Sequence, residues 1–360
     1  MAPSTWRTRM IRAYAQRRGP DMFFRALFQT PPENVFPGEQ VTFDVRRTGE
    51  KIASVINPCN GHNINSLDVF TNKLFTPPTL AEAAAFDCSR LMHRSFGETE
   101  YDSTDIGFQA ELAGQILTEL VLLEDMIKRN MELQCSQIMQ TGTLTLKNAA
   151  GVDAYVIDFK PKAAHFPAAG VAWTGGAGTP LADINAVAKL IRTNGQLNPD
   201  MLIMGDATLE AFLANTDVQT RLDSRRMLLA NIDPRLLDSG ATLYGEIQIG
   251  AYSYQIWTYA SEGEIPGASV NTPFLDDESC IVMASRGRKD MVFAGIPQPV
   301  NVDPRFASFL PGRITVPQAA DILPNIWTTP DGTQTMIGAQ SRPLAIPTAI
   351  DTFGRIDTGV

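Results

Sequence analysis

Cysteine is scarce in this 360-residue chain, and the four present, Cys59, Cys88, Cys135 and Cys280, stand far apart and form no CxxC pair. With no N-x-Ser/Thr sequon either, they read as reduced thiols. Histidine is scarcer still: His62, His93 and His165 are isolated and HExxH is missing, whereas zinc needs several convergent Cys or His ligands. A lone His is more often a surface or satisfied core residue. The GxSxG turn that would expose a nucleophilic serine does not occur. Long hydrophobic runs are also lacking; the nearest, from Leu112 to Leu123, is broken by Gln115 and Glu119, so no stretch qualifies as a membrane span. Charge itself is thin. Asp, Glu, Lys and Arg make up 19% of the chain, below the roughly 25% usual for soluble proteins.

What is there points to burial against partners. Hydrophobic residues are 44%, too many for a disordered chain, and at about 150 residues per domain the length suggests two or three globular units. Arginines number 22 against 8 lysines. Guanidinium is weakly hydrated and bonds bidentately, which enriches Arg over Lys at buried interfaces. The formal charge of −9 is unevenly spread: the first twenty-five residues hold six arginines and one acid, about +5, and leave the remainder near −14. Such a start resembles a transit peptide, but early Pro3 and the lack of a cleavage boundary favour a charged arm that docks elsewhere.

Residues 1–40 read as that arm, with an apolar knot of Met22, Phe23, Phe24, Leu27 and Phe28 around Arg25 forming a short anchoring helix before Pro31, Pro32 and Pro37. Residues 41–78 alternate weakly, as a long hairpin with little core of its own, marginal unless it lies on a neighbouring surface. The strongest periodicity runs from Asp105 to Gln140. Leu112, Ile116, Leu120, Leu123, Ile127, Met131 and Ile138 predict a long amphipathic helix, with Glu111, Glu119, Asp125, Lys128 and Glu132 mostly on its other side and Gly142 at its end. A hairpin over 143–159 follows, then a Pro/Gly/Ala-rich linker from Lys160 to Pro180. Residues 183–320 read as an α+β domain: a helix near Ile184–Ile191, a buried strand at Met201–Met204, a helix capped by Asp206, a hairpin around Gly250 and a strand at Cys280–Ala284. Asn325–Pro347 returns to strands.

Chemistry-bearing clusters are weak. Gly175-Gly176-Ala177-Gly178 fails GxGxxG and reads as flexible linker; Asp276-Asp277-Glu278 reads as a solvated loop rather than an acid/base pair. Arg221, Arg225 and Arg226 follow a helix, and Arg286, Arg288 and Lys289 sit in a turn. Neither cluster is interleaved with aromatics for base stacking, so interface salt bridges and a plain exposed charged face are the two readings.

This ordering of arm, hairpin, long helix, two-stranded piece, inserted α+β domain and returning strands resembles the Hong Kong 97 capsid fold of tailed-phage shells. Phe23-Phe24-Arg25-Ala26-Leu27-Phe28, Arg221-Leu222-Asp223-Ser224-Arg225-Arg226, Asn325-Ile326-Trp327-Thr328-Thr329, Met336-Ile337 and Arg342-Pro343-Leu344 are similar to stretches of lambda-type major capsid proteins, the major capsid protein E family. The resemblance implies an α+β fold with an N-terminal arm (1–40), an E-loop (41–78), a peripheral domain (79–182) with spine helix 105–140, an axial domain (183–320) and a return to the peripheral domain (321–360). It implies a non-enzymatic head protein with no cofactor, self-assembling into hexamers and pentamers of an icosahedral shell that encloses double-stranded DNA and expands on maturation. Scaffold, portal and decoration proteins are its implied partners, and the virion its location. Candidate contacts between subunits are Phe23, Phe24, Arg25, Phe28, Arg46, Arg47, Arg221, Asp223, Arg225, Arg226, Arg286, Arg288 and Trp327. The rival readings are an encapsulin-like compartment with protein cargo and a soluble two-domain enzyme; a tail or portal component fits the arm and E-loop poorly.

Overall fold

The computed structural model of the chain describes residues 19–45, 71–87, 105–174, 178–222, 230–237, 239–268, 270–301, 313–328 and 334–360. Helix α1 (Phe23–Ala26) opens the described chain. Strands β1 (Val41–Val45) and β2 (Thr71–Phe75) pair antiparallel, Val41 opposite Phe75 and Val45 opposite Thr71, as an isolated ribbon. Strand β3 (Leu80–Asp87) follows, and then α2 (Asp105–Thr141), whose 37 residues span about 55 Å. The helix stops where the sequence predicts. Gly142 sits at φ +68°, its N–H returns to Ile138 O at 2.8 Å, and a Cβ there would stand 2.3 Å from Pro161 Cγ, so only glycine fits this left-handed cap. The hairpin expected over 143–159 forms as β4 (Thr143–Lys147) and β5 (Asp153–Asp158).

The second half of the chain builds helices α3 (Pro180–Gly195), α4 (Asp206–Ala214) and α5 (Thr216–Leu222), and strands β6 (Met201–Met204), β7 (Ala230–Leu236), β8 (Ala241–Ile249) and β9 (Tyr252–Tyr259). After two-residue strands β10 (Glu262–Gly263) and β11 (Thr272–Pro273) come β12 (Ser279–Met283), β13 (Asp290–Phe293), β14 (Ile296–Asn301), β15 (Arg313–Gln318), β16 (Leu323–Thr328), β17 (Gln334–Ser341), β18 (Pro343–Ile346) and β19 (Phe353–Asp357). A six-stranded sheet runs β19-β12-β6-β9-β8-β7, with β6 and β9 parallel and the other pairs antiparallel. Asp206 lies in the first turn of α4 rather than capping it; Gly205 holds the cap position.

This sheet is a wall between two cores. Side chains alternate across a strand, so a strand covered on both faces must be apolar at every position. Met201 and Ile203 of β6, with Ile281 and Met283 of β12, join the core around α2; Leu202 and Met204, with Cys280 and Val282, join the core under α3 and α4. Strand β19 does the same with Phe353 and Ile356. Strands β16 and β17 pair with β3, and β18 with β13, while the final strand, β19, completes the six-stranded sheet beside β12. A sheet edge that would otherwise stand open is thereby paired.

A second difference concerns α2. Glu132, expected on its watery side, is 0% exposed, and Asp125 is also buried. Glu132, Ser136 and Gln140 recur every four residues, a stripe on one face. Each binds a backbone from elsewhere: Glu132 Oε1 and Oε2 accept the N–H groups of Phe24 (2.7 Å) and Arg25 (2.8 Å). Ser136 Oγ and Gln140 Nε2 donate to Phe274 O, and Gln140 Oε1 accepts Asp276 N–H at 3.0 Å. Gln137 Oε1 likewise accepts Thr145 N–H at 3.0 Å. The helix therefore organises the body through polar side chains as much as through its apolar stripe.

Candidate assembly surfaces

Helix α1 is too short to be stable alone, and it carries no side-chain cap of its own. The Glu132 carboxylate supplies one from α2, satisfying two of the N–H groups that a helix start leaves open. Burial pushes the Glu132 pKa up to about 7, against the opposing pull of the Arg25 and Phe24 N–H groups. Phe23 packs on Trp257 and Tyr259 with ring centroids at 5.7 and 5.4 Å, and Phe24 lies edge-on to Tyr259 at 5.5 Å. Phe23, Phe24 and Phe28 are thus buried against the chain's own core. Arg25 donates to Phe28 O at 2.7 Å and Thr30 Oγ1 at 2.5 Å, contacts internal to the arm.

The unmatched apolar surface lies elsewhere. Helix α2 is buried almost all round from Met131 to Gln140, but the stretch before that is open on one side: Leu117 is 60% exposed, Met126 48%, and Val121 and Leu122 are exposed between them. Leu74 on the β1–β2 ribbon is 58% exposed, and Val152 and Val156 stand out from the β4–β5 hairpin. On β16, Ile326 is exposed and Trp327 remains 38% exposed, its ring lying over Gly338. Of the arginine candidates, Arg288 forms an ion pair with Asp290 at 2.9 Å, and Arg286 is exposed. Arg46, Arg47, Asp223, Arg225 and Arg226 lie outside the described residues, as does the side chain of Arg221 at the end of α5.

Groups considered for chemistry are used in holding the fold. His165 is buried, with Nδ1 bonded to Phe353 O at 3.1 Å and Nε2 to Asn194 Nδ2 at 2.8 Å, a satisfied core histidine. Asp276 pairs with Arg355 at 2.8 Å and Asp277 O accepts from Thr208, so the exposed acidic turn ties the sheet to α4. Residues 175–177 of the glycine-rich stretch lie outside the described residues. Cys135 and Cys280 are free and buried, and desolvation raises both thiol pKa values, which disfavours the reactive thiolate. Among the described residues no group of three or more His, Cys, Asp or Glu is placed to hold a metal, and no helix is long and apolar enough to cross a membrane. Sequence reasoning did not single out Ser136, Gln140 or Tyr155, and met Arg342 only as part of a strand motif; the four-residue recurrence of Glu132, Ser136 and Gln140 was the available signal for the first two.

No curated protein matches the chain in sequence. Among solved structures, a putative capsid protein from a prophage of E. coli CFT073 superposes with a TM-score of 0.60 at 13% identity, covering 94% of this chain and 93% of that one. A phage-related protein from Bordetella bronchiseptica RB50 gives 0.47 at 10% identity, covering 96% and 94%, and the mature capsid of bacteriophage PhiM1 gives 0.45 at 12%, covering 97% and 90%. The shared fold is the Hong Kong 97-type capsid fold. A family model described as phage major capsid protein E matches residues 7–357, nearly the whole length, and the chain belongs to that family of virion shell proteins.

Proposed function

We propose that copies of this chain close into hexamers and pentamers of an icosahedral shell around double-stranded DNA, with scaffold, portal and decoration proteins as further partners and an expansion step on maturation. The observation that carries the reading is the exposed apolar stretch of α2 from Leu117 to Met126, together with a ribbon that has no sheet neighbour among the described residues. A two-stranded ribbon is marginal in water, and laying it along a second copy would bury Leu74 and offer its edges backbone partners. In this reading α2 is the spine of a peripheral domain and the six-stranded sheet belongs to an axial domain. Heterologous contacts repeated around a ring close when the rotation permits, giving sixes and fives from one subunit. The role is structural, with no catalytic step. An acidic body that avoids adhering to DNA fits the −9 net charge. Production of the full chain alone, imaged by electron microscopy, tests this: closed particles or capsomer-sized rings are expected, and a monomer or dimer at every concentration refutes it. Nucleic-acid or protein content of particles from infected cells separates a genome shell from a cargo compartment.

A further inference from the structure

Three consecutive residues at the root of the ribbon are each held by the body, two of them by the β4–β5 hairpin and its next residue. The Phe75 ring packs on Phe159 with centroids 5.5 Å apart, Thr76 O accepts the Tyr155 hydroxyl at 2.5 Å, and Pro77 O accepts Arg342 Nη2 at 3.3 Å. Pro77 and Pro78 have no N–H to place in a strand ladder, so the carbonyls are the handles this segment offers. One step outward, Leu74 is exposed. The transition from held to free chain takes a single residue.

The incoming leg meets the same point. Gly38 O accepts Gly295 N–H at 2.9 Å, and Pro37 lies so close that a Cβ on Gly295 would stand 2.3 Å from Pro37 O. Gly295 O in turn accepts Arg342 Nη1 at 3.0 Å, and Arg342 O accepts Ala294 N–H. One guanidinium therefore spans from the peptide that grips the incoming leg to the carbonyl that begins the outgoing one. Arg342 is buried, its bonds among the described residues run to carbonyls, and its Nε has no partner there. A buried cation held this way is a poor source of stability compared with an apolar side chain, but its planar fork fixes two acceptors in one geometry. Burial pushes the Tyr155 phenol up to about 12, which keeps its hydroxyl a donor at neutral pH.

We propose that Tyr155 and Arg342 are positioning residues that fix the direction in which the β1–β2 ribbon leaves the body, so that each subunit presents it to a sister copy already aimed. This rests on the reading that the ribbon engages a neighbour; aiming it beforehand lowers the ordering cost of each contact.

The test uses the full chain with Tyr155→Phe, Arg342→Lys and Gly295→Ala. Tyr155→Phe deletes one half-exposed hydroxyl, Arg342→Lys keeps the charge but reaches at most one of the two carbonyls, and Gly295→Ala pushes on the incoming leg. Hydrogen exchange of the 71–76 segment in unassembled subunits should rise several-fold in Tyr155→Phe while the β8–β9 pair stays at the wild-type rate. Closed shells should fall several-fold in yield, with open or mis-sized particles in their place, while the subunit Tm moves by no more than about 3 °C. Wild-type exchange at 71–76 or uniform wild-type shells in both Tyr155→Phe and Arg342→Lys overturns the proposal. A wild-type chain that forms no particles overturns the assembly reading instead, and the exchange measurement still decides the clamp.

Discussion

Replacing Glu132 with glutamine separates two forces that act on the cap of α1 in opposite directions. The carboxylate gains two backbone N–H bonds at 2.7 and 2.8 Å, and it loses hydration at 0% exposure. If the bonds dominated, its folded pKa would fall below the ordinary value; desolvation wins, and the pKa rises from 4.5 to about 7. For an acid raised in the folded state, the native protein holds the extra proton, so the stabilising contribution is full below about pH 4.5 and is lost as pH rises through about 7. At 1.36 kcal/mol per pKa unit, roughly 3 kcal/mol disappears across that window. The amide in Glu132→Gln does not titrate. It accepts one N–H through its oxygen but turns its NH2 toward the other donor, much as the protonated acid turns its O–H. The variant should therefore match the wild type within about 1 kcal/mol at pH 5 and be more stable by roughly 2–3 kcal/mol at pH 8. The Tyr259 hydroxyl, which lowers the Glu132 pKa, and the Asp21 charge, which raises it, act on the same carboxylate and are already contained in that value. Urea denaturation of unassembled subunits at both pH values gives the answer. Parallel pH curves, or a variant that loses ground at pH 8, would refute the dominance of desolvation.

Leu117→Ser with Met126→Ser should cost the unassembled subunit only about 1–3 kcal/mol, because about half of each side chain is already exposed there, yet abolish particles seen by electron microscopy. Gly142→Ala should cost about 2 kcal/mol or more in urea denaturation, from the left-handed φ and the overlap with Pro161 together; a loss under about 0.5 kcal/mol would mean that α2 ends differently in solution. Lys289 is buried with Nζ donating to Gly287 O, and desolvation lowers its pKa to about 8 despite the Asp200 charge. Its stabilising contribution is full above about pH 10.5 and lost as pH falls through about 8, so Lys289→Met should gain about 1–2 kcal/mol at pH 7 and flatten the rise in stability between about pH 8 and 10.

Legibility in the sequence followed periodicity. The Leu112–Ile138 repeat placed α2 to within one residue at its end, and the MLIM run at 201–204 announced a strand covered on both faces. What periodicity could not show was polar side chains used inside. A Glu on a helix is ordinarily a water-facing residue, and only the arrival of α1, more than a hundred residues earlier in the chain, turns Glu132 inward. The same blindness hid Arg342, which the resemblance registered as part of a strand motif while its bonds run to Gly295 and Pro77. The knot of Phe23, Phe24 and Phe28 was visible as an anchor, but sequence could not tell an anchor on the chain's own core from one on a neighbour. Strand β19 was missed as part of the sheet because pairing over more than seventy residues, Ser279 to Asp357, leaves no local trace.

The contrast along α2 between its buried end and the open stretch from Leu117 to Met126 bears on how strong each contact between copies should be. Full burial of a Leu, Val or Met side chain contributes about 1.5–3 kcal/mol, but Leu117, Val121, Leu122 and Met126 are only 60, 38, 39 and 48% exposed, so covering them adds roughly 3–6 kcal/mol. Bringing two bodies together costs an estimated ~4–15 kcal/mol in translational and rotational freedom alone, which consumes most or all of that gain. A single pairing through this surface is therefore weak. Once a ring closes, its last subunit gains two contacts for one loss of freedom, and the apolar stretch becomes sufficient. A subunit with a rigid, internally hydrogen-bonded body and a small, unmatched apolar edge is thus built to be stable in closed arrays and labile in pairs, and lability of pairs is what lets a misplaced copy leave before the shell seals.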